Sequence, residues 1–221
     1  DKTGAVWFAT QDGINRFDGK RVEVYTAATE YAGGLKPGLI SGMALDSRDS
    51  LWVATSGALQ VFNSNTTTFS QPPALIGESL DILSMDIDPY GRIWLGLPGE
   101  IGIYQQASEQ FYRLKLPRNI AGKETTAFAF SKDGDMYGIV ADAGVFRFQI
   151  DGDNLTAEAV TTSKAVVAAL TDDMTHAHVV PRRLFITDTE LWLATQDSGV
   201  YVIGLDQNQE RHITAGPNAF D

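Results

Sequence analysis

The segment Trp7-Phe8-Ala9-Thr10 decides the fold, because closely similar segments recur along the chain. In each of them a large aromatic residue is followed by small or aliphatic residues. The other four are Trp52-Val53-Ala54-Thr55, Trp94-Leu95-Gly96-Leu97, Tyr137-Gly138-Ile139-Val140 and Trp192-Leu193-Ala194-Thr195. The first four aromatics follow one another at intervals of 42 to 45 residues, which agrees with the period of about 40 to 50 residues of a four-stranded repeat unit. The last interval, from Tyr137 to Trp192, is 55 residues and therefore longer than this period. The pattern predicts a repeat protein with an insertion before its last unit.

Turn-forming residues surround the aromatic segments. In the second unit Asp46-Ser47-Arg48-Asp49 precedes the aromatic, and Ser56-Gly57 and Asn63-Ser64-Asn65 follow it. Such residues favour the backbone angles of tight turns. Each unit therefore consists of four strands, and short turns make consecutive strands antiparallel neighbours. The run Leu51-Trp52-Val53-Ala54 is apolar throughout, which indicates a strand buried on both faces.

Sheets with two apolar faces bury them by stacking around an axis. The predicted fold class is therefore all-β, a β-propeller built of four-stranded antiparallel blades. In a single domain spanning 1–221, five blades are expected at approximately 1–26, 40–71, 82–115, 126–161 and 183–215, with an insertion at 162–182. The insertion includes a run with good helix formers, Ala165 to Leu170. The first unit begins at its turn, so we expect its innermost strand to be missing and the chain to be an excerpt from a longer protein with more blades.

Composition excludes several classes of function. Hydrophobic residues make up 43% of the chain and charged residues 20%, which is typical of a soluble globular domain. The formal net charge of −11 argues against nucleic acid and against an anionic membrane surface as partners. Because the chain has no cysteine, disulfides and thiolate metal sites are excluded. No apolar run approaches the roughly 18 residues of a membrane span, and no cofactor is expected.

The first unit resembles a known family. The stretch from Gly4 to Gly19, Gly-Ala-Val-Trp-Phe-Ala-Thr-Gln-Asp-Gly-Ile-Asn-Arg-Phe-Asp-Gly, is similar to the two-component regulator propeller repeat. The resemblance is strong in the first two units, fair in the third and fifth, and weak in the fourth, where Tyr137 replaces tryptophan. It implies a periplasmic sensor region of a bacterial membrane-bound signalling protein, joined to the membrane only through flanking segments. It also implies a histidine kinase or diguanylate cyclase output elsewhere, and often an oligosaccharide ligand.

Several residue patterns could carry chemistry, and each has a structural alternative. The repeated aromatics are expected to be core residues rather than a stacking platform for sugars. Asp133-Gly134-Asp135 and Asp151-Gly152-Asp153-Asn154 resemble parts of calcium loops but are interpreted as hairpin turns, because the distal Glu of such loops is missing. The segment from Asp172 to His178 could supply two His and a carboxylate to zinc, but a solvated loop is favoured and no metal site is assigned.

Signals for nucleophilic catalysis are weak. The chain has no Gly-x-Ser-x-Gly elbow and no Cys/His pair. The Asp-x-x-Gly-x-x-Trp turn is superficially like the Asp-box of sialidases, which is itself a structural turn. No catalytic residue is therefore assigned, and the segment is predicted not to be an enzyme.

The candidate binding site is placed on one rim of the propeller. Loops that leave the second and fourth strands of each blade share that rim, and long loops on a rigid scaffold often carry function. The site is predicted, as a hypothesis, to consist of exposed polar and aromatic residues of the joining loops: Tyr31, Lys36, His176, His178, Arg182 and Arg183. It would contact a small-molecule ligand or a neighbouring domain, either a homodimer partner or an adjacent propeller.

Three classes of function compete. The leading interpretation is an extracytoplasmic sensor or ligand-binding module without catalysis in this segment. The second is a propeller enzyme of the lyase or glycoside hydrolase type, and the third is a protein-interaction scaffold. Fold alone does not choose among them, because propellers host many functions.

Overall fold

The computed structural model describes residues 1–10, 12–27, 33–152, 154–161, 163–170, 183–195, 199–205 and 209–214. Over these residues the chain is almost entirely β, with five sheets whose strands follow chain order. No helix in the described part is long and apolar enough to cross a membrane. The chain forms two compact units, each larger than a single repeat. The first unit comprises residues 1–98 and 102–113, and the second comprises residues 99–101 and 114–221; 'first unit' and 'second unit' have this meaning from here on.

The first sheet has three strands and the other four sheets have four each. The first consists of β1 (Val6–Thr10), β2 (Gly13–Phe17) and β3 (Val22–Thr26), and the second of β4 (Ile40–Leu45), β5 (Leu51–Thr55), β6 (Ala58–Asn63) and β7 (Thr68–Ser70). The third has β8 (Ser84–Ile87), β9 (Arg92–Leu97), β10 (Glu100–Gln105) and β11 (Gln110–Lys115). The fourth has β12 (Thr125–Phe130), β13 (Met136–Val140), β14 (Gly144–Asp151) and β15 (Asn154–Thr161). The fifth has β16 (Arg183–Ile186), β17 (Glu190–Ala194), β18 (Val200–Gly204) and β19 (Glu210–Ile213).

In the described part of the chain, three short helices connect consecutive sheets. Single 3-10 turns occupy Pro73–Leu75 and Arg118–Ile120, and α1 (Lys164–Leu170) follows the fourth sheet. The run of helix formers from Ala165 to Leu170, which the sequence allows to form a short helix, lies within α1. Val166 of α1 is fully buried in a cluster with Val145 of β14, and its backbone N–H donates to Ser163 Oγ at 3.3 Å. The helix is anchored by one apolar side chain and an N-terminal serine cap.

The antiparallel pairing and the three-stranded first sheet agree with the sequence prediction. Each aromatic of the repeat lies in the second strand of the full four-stranded repeat. In the second sheet Trp52 pairs with Ala44 on one side and Val61 on the other. This register places Trp52, Ala44 and Val61 on one face, and Leu51 and Val53 on the other.

Consecutive sheets of a unit pack by one rule, in which the aromatic face of a sheet meets the opposite face of the next. In the first unit Ile14, on the Trp7 face, clusters with Leu51 and Val53. Trp52 and Ala54 cluster in turn with Ile93 and Leu95 of the third sheet. In the second unit Tyr137 and Ile139 cluster with Leu191 and Leu193 of the fifth sheet. Burial of both faces explains why these strands lack apolar-polar alternation.

Candidate functional site

The first three turns that precede the aromatic strands are each built around one aspartate. Asp46 Oδ1 accepts the backbone N–H groups of Arg48 and Ser50 at 2.9 Å, and Asp46 Oδ2 accepts Trp52 Nε1–H at 3.1 Å. The same Asp–Trp bond joins Asp1 to Trp7 at 3.1 Å and Asp88 to Trp94 at 2.9 Å. These hydrogen bonds give the aspartates and the buried Trp52 and Trp94 the structural role that the sequence predicts, whereas Trp7 is only partly buried.

In the last two sheets a hydroxyl replaces the carboxylate. Ser131 Oγ accepts the N–H of Asp135 at 2.9 Å, and Thr187 Oγ1 accepts the N–H of Glu190 at 3.0 Å. A hydroxyl is shorter than a carboxylate and offers no second oxygen to the indole. Among the described residues Trp192 Nε1 is buried without a hydrogen-bond partner. An unsatisfied buried donor costs about 1 to 3 kcal/mol.

Replacing Thr187 by aspartate is expected to stabilise the fifth sheet by about 1 kcal/mol, the typical net contribution of one hydrogen bond. Thr187 stands two residues after Phe185, the cross-strand partner of Trp192, as Asp46 stands two residues after Ala44, the partner of Trp52. An aspartate there can bond both the turn and the indole. Urea denaturation of Thr187→Asp, alone and in a Trp192→Phe background, measures the effect. A gain that persists without the indole would contradict the explanation.

Loops that leave the second strand and the connection to the next sheet meet at one edge, as predicted for the shared rim. In the first unit Ser56 N–H donates to Leu39 O at 2.8 Å, and Leu80 N–H donates to Gly57 O at 3.3 Å. In the second unit Ala141 N–H donates to Glu124 O at 2.9 Å. These bonds fix the connecting segments against the hairpin loops of each sheet.

Two of the six predicted rim residues can be placed. Lys36 is exposed in the connection between the first and second sheets, and its backbone N–H donates to Gln60 Oε1 at 2.6 Å. Arg183 is exposed at the start of β16 and pairs with Ala194. Lys36 belongs to the first unit and Arg183 to the second. The remaining four, Tyr31, His176, His178 and Arg182, lie outside the described residues, so the rim site stays a prediction.

The two calcium-like segments contain turns. Gly134 has a φ of +90° and its N–H donates to Ser131 O at 3.0 Å, while Asp135 Oδ1 accepts Arg147 at 2.6 Å. The Arg147 pKa is raised, chiefly by this hydrogen bond. Asp151 pairs with Asn154 across the β14–β15 hairpin. No group of three or more His, Cys, Asp or Glu in the described part could hold a metal, and the zinc hypothesis at His176 and His178 concerns residues outside that part.

A cleft of about 610 Å³ opens between the first and second sheets, and we call it the sheet 1–2 cleft. It lies at the edge opposite the predicted rim, because the turn 46–50 and the hairpin 63–67 both leave the sheet there. Its lining includes aromatic, charged, amide and hydroxyl side chains: Trp7, Arg16, Glu23, Tyr25, Arg48, Ser50, Phe62, Asn63, Ser64, Asn65, Thr67 and Ser70. Mixed aromatic and hydrogen-bonding walls are typical of small-molecule sites.

Aromatic rings form the inner wall of the cleft. Tyr25 lies 5.9 Å from Trp7 in a stacked arrangement and 5.0 Å from Phe62 edge to face, measured between ring centroids. The Tyr25 hydroxyl donates to Glu23 Oε2 at 3.1 Å. Partial burial, together with the hydrogen bond to Glu23 and its negative charge, raises the Tyr25 pKa. The phenol therefore stays protonated at neutral pH and keeps its hydrogen-bonding capacity.

Arg16 lies across the Trp7 ring, 5.6 Å from the ring centroid. Its Nε lies 3.3 Å from Asp1 Oδ2 and its Nη1 lies 3.5 Å from Glu23 Oε2. The register of the fourth sheet aligns Tyr137, Arg147 and Glu158 in the same way. The aromatic–Arg–acid triplet thus occurs in the first and fourth sheets, and the groups particular to this cleft are Tyr25, Arg48 and the hairpin 63–67.

Sequence reasoning did not find the cleft, because it favoured the rim with the longer loops. A signal is nevertheless present in β2 and β3. Arg16 pairs with Trp7 and with Glu23, which puts two charged side chains on the face that is apolar in the second sheet. Charged residues on a face that should be buried indicate that the sheets separate there.

No protein-family model and no curated protein matches the chain. Solved structures do resemble it. The extracellular domain of the hybrid two-component system BT3049 from B. thetaiotaomicron has a TM-score of 0.60 at 20% identity, over 99% of this chain and 34% of that one. The extracellular domain of the hybrid two-component system BT4673 from the same organism has a TM-score of 0.63 at 15% identity, over 90% of this chain and 25% of that one. A streptogramin B lyase structure has a TM-score of 0.68 at 13% identity, over 98% of this chain and 67% of that one. The chain thus spans about a quarter to a third of the two extracellular domains, and these identities show a shared propeller-like fold alone.

Proposed function

We propose that the chain belongs to the extracytoplasmic sensory region of a bacterial membrane-bound signalling protein, of the two-component or diguanylate cyclase type. In this proposal its sheets are blades of a β-propeller, it works in the periplasm, and it binds a ligand without catalysis in this segment. The repeat resemblance and the fold likeness to extracellular domains of BT4673 and BT3049 support it. Both of those structures are extracellular domains of hybrid two-component systems.

The sheet 1–2 cleft is the observation that carries the binding role. Its aromatic wall offers the apolar surface against which a sugar ring packs, and the hydroxyl and amide groups of the hairpin 63–67 offer donors and acceptors. Arg16 is paired with two carboxylates and Arg48 Nη2 lies 3.8 Å from Asp46 Oδ2, so both arginines of the cleft already have carboxylate partners and a charged ligand is not favoured. A neutral, hydroxyl-rich molecule such as an oligosaccharide fits this chemistry.

Calorimetric titration of the purified chain with a panel of neutral oligosaccharides tests the proposal. Tyr25→Phe removes one hydroxyl and Arg48→Ala one exposed side chain, and each is expected to weaken binding about tenfold, which corresponds to about 1.4 kcal/mol. Lys36→Ala, at the opposite edge, is the matched control and should bind as the wild type does. If only Lys36→Ala weakens binding, the binding site lies at the rim and not in the cleft. If no oligosaccharide of the panel binds, oligosaccharides are excluded as the class of ligand.

A lyase is the second candidate, because the streptogramin B lyase covers most of this chain at the higher TM-score. Incubating the chain with a streptogramin B antibiotic and following its chromatographic retention would detect a lyase product, because elimination within a ring gives a linear isomer of unchanged mass. Product formation at a rate proportional to chain concentration would replace the sensor proposal by an enzymatic one. A chain that binds protein partners but no small molecule would instead indicate an interaction scaffold.

A further inference from the structure

The connection between the first and second sheets crosses the rim end of the gap between them. We call residues 33–36 of this connection the strap. On the side of the first sheet, Leu35 forms an isolated parallel bridge with Ala27, which follows β3 directly. On the side of the second sheet, the backbone N–H of Phe69 in β7 donates to Gly33 O at 2.7 Å. Leu35 itself is buried in the apolar cluster that both sheets share, so the strap contacts both of them.

Gln60 in β6 fixes the strap to the second sheet. Gln60 is 1% exposed and, because it pairs with Val53, lies on the face that meets the first sheet. Its Oε1 accepts the backbone N–H of Lys36 at 2.6 Å, and its Nε2 donates to Gly34 O at 3.1 Å. A buried amide that uses both its acceptor and its donor on one segment holds that segment in a single position.

Gly33 allows the strap to lie this close to β7. Its φ is +100°, a left-handed conformation that other residues adopt only with strain. A Cβ at position 33 would lie 2.9 Å from Thr68 Cγ2 and 3.0 Å from Thr68 Cβ. The strap is therefore held to the second sheet by two independent features, a buried amide and a glycine.

The strap and the sheet 1–2 cleft lie at opposite ends of the same gap. Gln60 stands near the rim end of β6, whereas the hairpin 63–67, which lines the cleft, follows the other end of that strand. Between the two ends the sheets are joined by packed aromatic rings, with the Tyr25 centroid 5.0 Å from that of Phe62 and 5.8 Å from that of Phe69. Close-packed interiors deform little, so a change of angle at one end of the gap changes the separation at the other.

We propose that the strap sets the width of the sheet 1–2 cleft, with Gln60 as the positioning residue, and that this width selects unbranched over branched oligosaccharides. The choice of ligand rests on the proposed function, whereas the width of the cleft is a property of the protein without a ligand. An unbranched chain presents single sugar rings to the gap between two walls, and a branch adds bulk that a narrow gap excludes. Specificity of this kind arises from steric exclusion rather than from added contacts.

The connection between the second and third sheets offers matched controls. Gln71 Nε2 donates to Leu75 O at 3.1 Å, and Gly77 has a φ of +82° with open space around a Cβ placed there. Neither Gln71 nor Gly77 lines the cleft. Gln71→Met therefore removes a glutamine hydrogen bond, and Gly77→Ala introduces a similar backbone strain, without touching the strap.

Pulsed electron paramagnetic resonance between two spin labels measures the width of the cleft. Because the chain has no cysteine, Lys20→Cys and Ser64→Cys supply the only labelling sites. Lys20 lies in the hairpin between β2 and β3 and Ser64 in the hairpin 63–67, so this pair spans the mouth of the cleft. A second pair, Ser47→Cys with Ser64→Cys, lies within the second sheet and reports any change inside it.

Gln60→Met and Gly33→Ala are each expected to lengthen the mean distance across the mouth and to broaden its distribution. The two variants act on different contacts, so a folding defect in one leaves the other as a test, and thermal unfolding identifies such a defect. Gln71→Met and Gly77→Ala should keep the wild-type distance, and the pair within the second sheet should not change in any variant. A mouth distance that stays at the wild-type value in both strap variants, or that changes equally in the controls, would overturn the inference.

Calorimetric titration with unbranched and branched members of the oligosaccharide panel completes the test. Gln60→Met should lower the ratio of the affinities for unbranched and branched members about tenfold, the lower end of what a steric difference in a pocket contributes. Lys36→Ala keeps the backbone N–H that Gln60 accepts, so it should retain the wild-type ratio. An unchanged ratio in a wider cleft would overturn selection by width. If no member of the panel binds the wild type, the ligand class and its selection both fail, and the distance measurement still decides whether the strap sets the width.

Discussion

Replacing Asp88 by alanine is expected to lower the free energy of unfolding by about 3 to 5 kcal/mol, the range observed when one partner of a buried ion pair is removed. The Asp88 side chain is completely buried and accepts four hydrogen bonds. Two come from the backbone N–H groups of Tyr90 and Arg92, one from Arg92 Nε at 2.5 Å and one from Trp94 Nε1 at 2.9 Å. Alanine leaves all of these donors without their acceptor and strands the Arg92 charge, whose side chain is only 34% exposed.

Urea denaturation followed by tryptophan fluorescence measures this loss. Asp88→Asn keeps an oxygen of similar size but removes the charge opposite Arg92, so it should fall between the wild type and Asp88→Ala. Asp81→Ala changes an exposed aspartate seven positions earlier and should stay within about 0.5 kcal/mol. If Asp88→Ala unfolds at the urea concentration of Asp81→Ala, the turn does not depend on its carboxylate.

The sheets could be predicted from sequence because a turn and the strand that follows it are close together in the chain. Asp46, Gly57 and Trp52 therefore predict the turns and the strand of their own repeat without reference to the rest of the fold. Because the pattern repeats, the features common to all repeats can be told apart from local variation. Thr187 is an example: the turn that it begins is one residue shorter than the turn at Asp46, yet Thr187 has the same position relative to the cross-strand partner of the tryptophan. The predicted antiparallel sheets and the three strands of the first sheet follow from such local information.

The sheet 1–2 cleft could not be predicted in the same way. It depends on how far two sheets separate, and that distance is decided by side chains distant in sequence, such as Arg16 and Phe62. Loop length pointed instead to the rim, because length is visible in a sequence and inter-sheet distance is not.

Replacing Gly42 by alanine is the second change with a large expected effect, a destabilisation of about 2 to 3 kcal/mol, at the upper part of the range for overpacking. A Cβ at position 42 in β4 would lie 2.6 Å from Met85 Cβ and 3.0 Å from the Met85 backbone nitrogen in β8. Neither atom belongs to a flexible side-chain end, so no rotamer change relieves the clash. The two strands would have to move apart, which would loosen the apolar contacts between the second and third sheets.

Gly57→Ala is the matched control for this prediction. The nearest atom to a Cβ at position 57 is Pro37 O at 3.7 Å, an ordinary van der Waals distance, so its unfolding free energy should change by less than about 1 kcal/mol. Adding Met85→Ala to Gly42→Ala should not restore stability, because alanine retains the Cβ and the backbone that cause the clash. Recovery in that double variant would show that the long Met85 side chain, rather than the close approach of β4 and β8, makes glycine necessary, and the tight packing of the innermost strands would lose its explanation.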